Sequence, residues 1–510
     1  MRRFAAPQNH HLGAAIFSRY FNLHPPERMD TTKSLCGAKD IFLSRLTKAL
    51  ALIEFCINLH YNKRVKAILR MERKLLLLAG LTALTLTGCQ KEEPAHTPTE
   101  ETKITELRSY TEKSPNPIDA GNYKLDKSKE TLESLTHVSK NRLFYMDYLA
   151  DFPMEKLWKT GADRYNYESD LSGETEYLSD FVGLLYNNPP TPKPMDDPLT
   201  HCSAFISHNE KDELLFCHNM DGAGGSIIAV YQRPMHGLYG FVALSNTIYN
   251  TIRFAPEYVE EGRLMDGKSD LSILLTQHMA HLGGMNDQGL CYCMLQLPPL
   301  QKPEDYDPEG TMPRITLENK KGDYSLPQLT NSSMYYMLLT RCATVKDVEK
   351  ALQEDYDFTQ LNHIMNGHFL IADATGDYAV FEYWNDKLYV LRAEDRRAAL
   401  NLTSQVVPFE YNSMENYYCN PEATATYMQD EWQYGFSAKQ RVGRMMTYYE
   451  PVMSEFQALQ CLQKGTYGIE YPGGLTNYSA VYNPVELTVL FNVHNDMSEA
   501  FTIDLKKDLQ

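Results

Sequence analysis

The chain has 510 residues, 23% of them charged, and a formal net charge of −17 at pH 7. This length allows two or three domains, and an acidic chain is a poor partner for nucleic acid. The charge is distributed unevenly, because residues 1–70 carry a net charge of +8 and the remaining chain therefore −25. Composition thus disfavours a nucleic-acid-binding protein and sets residues 1–70 apart from the rest.

Residues 71–89 have the features of a bacterial lipoprotein signal peptide. A basic start at Met71 precedes an apolar run, 75–87, that is too short to span a bilayer, and small residues precede Cys89. A buried core helix is the alternative. Because a signal peptide begins its precursor, residues 1–70 are predicted to be an upstream extension that is not native to the protein. Cys89 is the predicted lipidation site.

Residues 90–124 are predicted to be a flexible tether, since their first part is rich in Pro, Thr and Glu. Lipidation would anchor the protein to a membrane at the outer, extracytoplasmic side of the bacterial cell envelope. Residues 125–201 are predicted to form a helical pro-region, with one helical pattern over 125–160 and a second over 174–186. Its last part is a Pro-rich linker that cannot continue a helix, so a domain boundary is predicted before Cys202.

Residues 202–510 alternate between predicted strands and helices, which favours an α+β fold of packed sheets with helices outside. A helix over 270–281 is predicted to stop at Gly283-Gly284, and Thr344 begins a capping box. Further helices are predicted at 437–449 and 454–463. The predicted strands are 202–207, 213–217, 226–232, 240–245, 368–372, 378–383, 387–391, 478–482, 487–493 and 501–505.

The ten cysteines do not form a metal-binding pattern. Two lie upstream of Met71, one is Cys89, and most others are scattered. Only Cys291 and Cys293 are closely spaced, and alternation would put both on one face of a strand as buried residues. The sequence therefore predicts neither a metal nor a cofactor.

Cys202 is followed 16 and 19 residues later by His218 and Asp221. A thiol becomes an acyl-transfer nucleophile when a base and a charged neighbour hold it near the thiolate form, and two adjacent strands can bring such groups together. The alternative is a buried structural cysteine followed by a polar turn, because free cysteine is commonly buried.

Cys202 and the 218–221 segment, together with 284–290, 368–382 and 476–483, resemble the cysteine N-terminal nucleophile (Ntn) hydrolases. The similarity covers residues 202–510 and is greatest to the linear amide C–N hydrolases of the choloylglycine hydrolase and penicillin V acylase family, near the isopenicillin N acyltransferase and acid ceramidase group. It implies a four-layer αββα sandwich and hydrolysis of a small linear N-acyl amide. It also implies autocatalytic cleavage between His201 and Cys202.

The resemblance assigns roles to individual residues. Cys202 would be the nucleophile, with its freed α-amino group as the base, and Asp221 would hold both in register. His218 stands where bile-salt hydrolases carry arginine and is expected to supply a donor or a part-time positive charge.

Three further residues complete the site that the resemblance implies. Asn286 and Asn401 would donate to the oxyanion, although Leu400 replaces the family's threonine, and each asparagine could instead be a turn residue. Arg441 would order the site by pairing with a carboxylate, the alternative being a surface arginine.

Other functions stay open at this stage. Acyl transfer to another amine is possible on the same fold, and Leu400 and His218 leave room for a solute-binding lipoprotein with impaired catalysis. A papain-like protease would need a distant His and Asn for which no matching segment is found. The sequence does not reveal which amide is used, the oligomeric state, or whether residues 90–201 stay bound after cleavage.

Overall fold

The computed structural model describes most of the chain beyond residue 101. The described residues are 102–119, 121–140, 142–158, 160, 170–192, 202–222, 224–248, 254, 262–279, 281–297, 326–329, 331–358, 367–384, 387–392, 413–415, 419, 445–466 and 475–510. The predictions for residues 1–100, including Cys89, and for His201, Asn401 and Arg441 therefore lie outside the described residues. So does most of the helix predicted at 437–449.

The described elements are numbered in chain order. The strands are β1 Lys103–Glu106, β2 Glu112–Lys113, β3 Thr136–Ser139, β4 Leu143–Tyr148, β5 Cys202–His208, β6 Leu214–Gly222, β7 Ile227–Gln232, β8 Phe241–Asn246, β9 His281–Asn286, β10 Cys291–Gln296, β11 Gln328–Leu329, β12 Asp357–Phe358, β13 Gly367–Ala372, β14 Tyr378–Trp384, β15 Lys387–Leu391, β16 Ser413–Glu415, β17 Leu475–Asn483, β18 Thr488–Val493 and β19 Glu499–Asp504. The α-helices are α1 Ser128–Glu133, α2 Asp170–Leu185, α3 Asn331–Arg341, α4 Val345–Lys350, α5 Glu455–Gln463 and α6 Leu505–Asp508. Short 3-10 helices include Leu271–Met279. No helix among the described residues is long and apolar enough to span a membrane.

Two large sheets dominate the described residues. Sheet A has seven strands in the order β1-β19-β18-β17-β6-β5-β16, and sheet B has ten in the order β15-β14-β13-β10-β9-β8-β7-β4-β3-β2. Strands β5 to β10 are buried along almost their whole length, as expected for apolar strands that are covered on both faces. The α+β class predicted from the sequence is confirmed.

The two sheets face each other across an apolar interior. Gly283 on sheet B is so close to sheet A that a Cβ added there would lie 3.0 Å from Nδ1 of His218. On the outer face of sheet A, helix α5 packs in a separate cluster with residues such as Phe205 and Cys217. On the outer face of sheet B, Tyr335 of α3 stacks on Tyr292 of β10 with the ring centroids 5.4 Å apart. Helix α5 therefore packs against sheet A, and helix α3 packs against sheet B.

The helical pattern predicted over 125–160 is a wrong prediction for most of that segment. Only α1 is an α-helix there, and the chain then forms β3 and β4. Strand β4 pairs in parallel with β7 over six residues, and β1 pairs in parallel with β19. The helix predicted at 174–186 is present as α2. The segment before Cys202 is thus part of both sheets.

The helix predicted over 270–281 is present as the 3-10 helix Leu271–Met279, but Gly283 and Gly284 do not end it, because both lie inside strand β9. Glycine at position 284 allows the backbone of the neighbouring strand β8 to approach closely, since a Cβ on Gly284 would lie 2.8 Å from the backbone oxygen of Val242.

Other local predictions are confirmed. Thr344 and Ser454 form capping boxes at the starts of α4 and α5. The strands β5, β7 and β8, the meander β13 to β15 and the strands β17 to β19 lie within a few residues of their predicted bounds. Strand β6 runs to Gly222, well past its predicted end at Cys217, and therefore includes His218 and Asp221. Cys291 and Cys293 are buried on strand β10, as predicted.

Candidate functional site

Cys202 is the first residue of β5 and faces the interior between the two sheets. It is fully buried, and it belongs to the apolar cluster that includes Ala204 and Ile206 on the same face of the strand. The alternate residue Ser203 faces the other way, because its hydroxyl accepts a hydrogen bond of 3.1 Å from Asn219, which also donates to α5. The thiol therefore points toward sheet B.

His218 lies on the neighbouring strand β6 and shares this interior face. It is the cross-strand partner of Ala204, two residues along β5 from Cys202. Both ring nitrogens are buried, and neither has a hydrogen-bond partner in the described part of the chain. Burial lowers the pKa of His218 to about 3. The imidazole is therefore neutral at working pH, which corrects the expectation of a part-time positive charge.

Tyr478 on β17 also lines this interior and was not identified from the sequence as a site residue. Its ring meets His218 edge-on with the centroids 5.6 Å apart. The hydroxyl is buried without a hydrogen-bond partner among the described residues, and burial raises the pKa of Tyr478 well above its usual value. The hydroxyl of Tyr478 is thus neutral and can donate a hydrogen bond that no described residue accepts. Alternation along the predicted strand 478–482 would have placed Tyr478 on this face.

Gly283 lies opposite these two side chains. A Cβ at this position would be 3.0 Å from Nδ1 of His218 and 3.2 Å from Oη of Tyr478, which is tighter than ordinary van der Waals contact. The glycine therefore makes room for both polar groups between the sheets.

Asp221 lies at the amino end of Cys202 and not beside its thiol. Cys202 pairs with Met220, so Asp221 is the next residue toward the side from which the chain enters β5. Its buried carboxylate accepts a hydrogen bond from the hydroxyl of Thr476, its partner on β17. Alternation turns this carboxylate to the opposite face from the thiol. The carboxylate of Asp221 and the thiol of Cys202 therefore lie on opposite faces of sheet A, and the role predicted for Asp221 stays a prediction.

Asn286 has a structural role in place of the predicted oxyanion role. Its side-chain nitrogen donates to the backbone oxygens of Leu339 and Cys342, at 3.0 and 2.8 Å, at the end of α3. Its side-chain oxygen accepts from the backbone nitrogens of Gln288 and Leu290. The amide therefore faces the outer helix layer, on the opposite side of sheet B from Cys202, and both of its N–H groups are occupied.

The remaining predicted site residues cannot be located. Asn401, Arg441 and His201 lie outside the described residues, and their roles stay predictions.

One further cluster could hold a metal ion. His368, Glu382 and Cys419 are buried, and their possible ligand atoms all lie within 4.8 Å of one another. This cluster was not predicted from the sequence, because separations of 14 and 37 residues match no metal-binding motif.

No family model and no curated protein matches this chain. Among solved structures, the chain is similar to two mutant forms of the conjugated bile acid hydrolase from Clostridium perfringens, at 15% and 13% identity, each with a TM-score of 0.37. Each match covers 60% of this chain and 93% of the other. It is also similar to a Caenorhabditis elegans ortholog of N-acylethanolamine-hydrolyzing acid amidase, at 12% identity and a TM-score of 0.31, covering 56% of this chain and 93% of that one. Scores this low do not decide the fold or the function of this chain.

Proposed function

We propose that this chain is a hydrolase that cleaves the C–N bond of a small, linear N-acyl amide through a thioester on Cys202. In this proposal Cys202 becomes the nucleophile after the chain cuts itself between His201 and Cys202. The observation that carries the proposal is the position of the thiol. It starts strand β5, next to the edge strand β16, and faces a buried interior. His218 and Tyr478 line the same interior with polar atoms that have no hydrogen-bond partner among the described residues.

The identity of the base supports cleavage before Cys202. A catalytic base should have a pKa near the working pH. His218, with its pKa lowered to about 3, is too weak a base to activate a thiol at neutral pH. A free α-amino group on Cys202 would have an ordinary pKa of about 7.7 to 8.0. Asp221 follows Met220, the strand partner of Cys202, and we assign to it the role of holding the amine in position once the amine is free.

The reaction then proceeds in two steps. The amine takes the thiol proton, the sulfur of Cys202 attacks the amide carbonyl carbon, and the oxygen becomes an oxyanion. When the C–N bond breaks, the leaving nitrogen takes the proton from the amine and a thioester remains. Water, deprotonated by the same amine, hydrolyses the thioester and restores the thiol.

The oxyanion requires hydrogen-bond donors in the interior that the thiol faces. The donors of Asn286 point to the outer face of sheet B, so it is not kept in this role. We assign one donor to Tyr478, whose neutral hydroxyl lies on the interior face and has no partner among the described residues. Asn401 and Arg441 keep their predicted roles as part of the proposal.

The segment before Cys202 is proposed to remain bound after cleavage. Its strand β4 lies inside sheet B, between β3 and β7, and its strand β1 extends sheet A. Losing it would remove a six-residue parallel pairing and expose side chains such as Phe144 and Met146, which are fully buried. The active protein would then consist of two chains from one precursor.

The lipid anchor at Cys89 and the extracytoplasmic location are parts of the proposal that derive from the sequence. Fractionation of the source bacterium, with a Cys89→Ala variant as the control, tests them. Loss of membrane association in the variant supports the anchor, and unchanged association contradicts it.

The first experiment compares the purified protein lacking residues 1–89 with its Cys202→Ala and Cys461→Ala variants. Cys461 is also buried, but it lies in the cluster under α5, away from the interior. Intact mass and N-terminal sequencing should find a chain that begins at Cys202 in the wild type and Cys461→Ala, and an uncut chain in Cys202→Ala. Full activity in a protein that is intact across residues 201–202 would contradict the mechanism.

A second experiment tests the chemistry of the cleaved protein. Incubation with a panel of N-acyl amides should release the amine and produce a transient acyl adduct on Cys202, seen by mass spectrometry. Acylation of an added amine in place of water would indicate an acyltransferase. Cleaved protein that binds amides without forming an adduct would favour the solute-binding alternative.

A further inference from the structure

His368, Glu382 and Cys419 form a polar cluster that the proposed amidase mechanism does not use. His368 lies on β13 and Glu382 on the neighbouring strand β14, and Cys419 follows the edge strand β16 of sheet A by four residues. All three are buried, with exposed fractions of 0 to 1%. Two neighbouring strands of sheet B therefore meet here a residue that follows the edge strand of sheet A in the chain.

The cluster lies on the interior face of sheet B. His368 shares its strand face with Leu370, which is paired with Cys293 of β10, and Cys293 is in turn paired with Gly283. Gly283 is the residue that contacts sheet A. The cluster and Cys202 therefore occupy the same layer of the protein.

The donor atoms are spaced as ligands of one ion would be. Nδ1 of His368 lies 3.1 Å from Oε2 of Glu382 and 4.0 Å from Sγ of Cys419. In a tetrahedral zinc site, bonds of about 2.0 to 2.3 Å separate neighbouring donor atoms by roughly 3.3 to 3.8 Å. The separation between the Glu382 carboxylate and the Cys419 sulfur is no more than 4.8 Å, so shifts of up to about 1 Å would bring all three atoms to these separations.

We propose that His368, Glu382 and Cys419 bind one divalent metal ion, and that zinc is the ion their chemistry selects. An imidazole nitrogen, a carboxylate oxygen and a thiolate sulfur are all zinc ligands, whereas magnesium and calcium bind oxygen alone. Three protein ligands leave a fourth position for water or another small ligand.

The ion would connect the two sheets beside the strand that carries Cys202. Strand β16 pairs with β5, with Glu415 opposite Ser203, so the segment that leads to Cys419 starts next to Cys202. On binding, the ion would displace the thiol proton of Cys419, which is released to water, and the imidazole proton of His368 would lie on Nε2. The site would thus fix the position of this segment, whether or not the proposed amidase reaction occurs.

Metal analysis of the full chain tests the proposal. The purified wild type, Cys419→Ala and Cys461→Ala proteins are incubated with excess zinc sulfate, gel-filtered and measured for zinc by mass spectrometry. About one zinc per chain is expected in the wild type and in Cys461→Ala, and at least a fivefold loss in Cys419→Ala. No zinc in the wild type, or equal zinc in all three, would overturn the proposal.

Cobalt provides a second readout that does not require a variant to fold. Wild type loaded with cobalt chloride should show the near-ultraviolet charge-transfer absorption of a thiolate bound to cobalt. Its absence would mean that the three residues form only a hydrogen-bonded network. Neither readout depends on amidase activity, so the two proposals fail separately.

Discussion

Replacing His218 with leucine should change how the stability of the protein depends on pH. In the folded chain, burial lowers the pKa of this histidine to about 3, whereas an exposed histidine in the unfolded chain has a pKa of about 6.5. Below pH 6.5 the unfolded state therefore binds a proton that the folded state does not bind. Acid stabilises the unfolded state, so this contribution to stability is complete above pH 6.5 and is lost as the pH falls toward 3.

The size of the effect follows from the linkage between proton binding and folding. Each pH unit between 6.5 and about 3 lowers the free energy of unfolding by about 1.4 kcal/mol through His218. Between pH 7.5 and 5.0 the wild type should lose about 2 kcal/mol that the leucine variant keeps. His278 and His281 also have a pKa lowered to about 3, but both are present in the two proteins and cancel in the comparison.

Urea unfolding at pH 7.5, 6.0 and 5.0 measures this difference. Both proteins should carry Cys202→Ala, so that neither is cut. Phe216→Leu is the matched control, because it changes a fully buried side chain on the same strand and removes no titrating group, and it should keep the pH dependence of the wild type. Parallel curves for the wild type and His218→Leu would refute the reasoning. They would mean that the folded protein accommodates a charged His218, which could then serve as a base.

Three further predictions concern the walls of the site. Gly283→Ala should lower the free energy of unfolding by about 1 to 3 kcal/mol, because the added methyl group overpacks the interior. The control is Gly183→Ala, whose Cβ would meet nothing within 4 Å, and it should raise the free energy of unfolding by about 0.5 to 1 kcal/mol. Equal effects of the two substitutions in urea unfolding would contradict this prediction. Asn286→Ala should lower the free energy of unfolding by about 2 to 4 kcal/mol in the same assay, because it removes the hydrogen bonds to the end of α3. Unchanged stability with an about hundredfold lower kcat would instead indicate that Asn286 is an oxyanion donor. Tyr478→Phe should lower kcat of the cleaved enzyme about 100-fold or more with little change in stability, and an unchanged kcat excludes Tyr478 as a donor.

Local sequence signals predicted the secondary structure correctly where the residues allowed only one interpretation. The capping boxes at Thr344 and Ser454 depend on contacts within one helical turn, so the residues themselves specify them. Strand β4 was missed because it lies in the middle of sheet B and is buried on both faces. Five of its six residues are buried, and such an apolar run fits a helix as well as a central strand.

The site was predictable only in part, because a motif does not state which face of a strand its residues occupy. Cys202 and His218 were correctly expected to come together on neighbouring strands. Asn286 belongs to a segment that resembles a catalytic family, yet its position in β9 turns it toward α3 and away from the interior. The neutral state of His218 depends on burial by both sheets, which the sequence does not reveal.

The polar groups around Cys202 favour a functional site over the alternative that Cys202 is a structural cysteine in an apolar core. A buried polar atom without a hydrogen bond costs about 1 to 3 kcal/mol. Both ring nitrogens of His218 are buried and have no partner among the residues that the structure describes. An interior selected for stability alone would have leucine or phenylalanine at this position, as its neighbours Phe216 and Met220 illustrate. The cost is explained if a substrate amide supplies the missing partners. In the uncut protein, His218→Leu should then be at least as stable as the wild type at pH 7.5. In the cleaved protein, the same substitution should weaken amide binding. A variant that is less stable and binds amides normally would indicate that His218 is a packing residue.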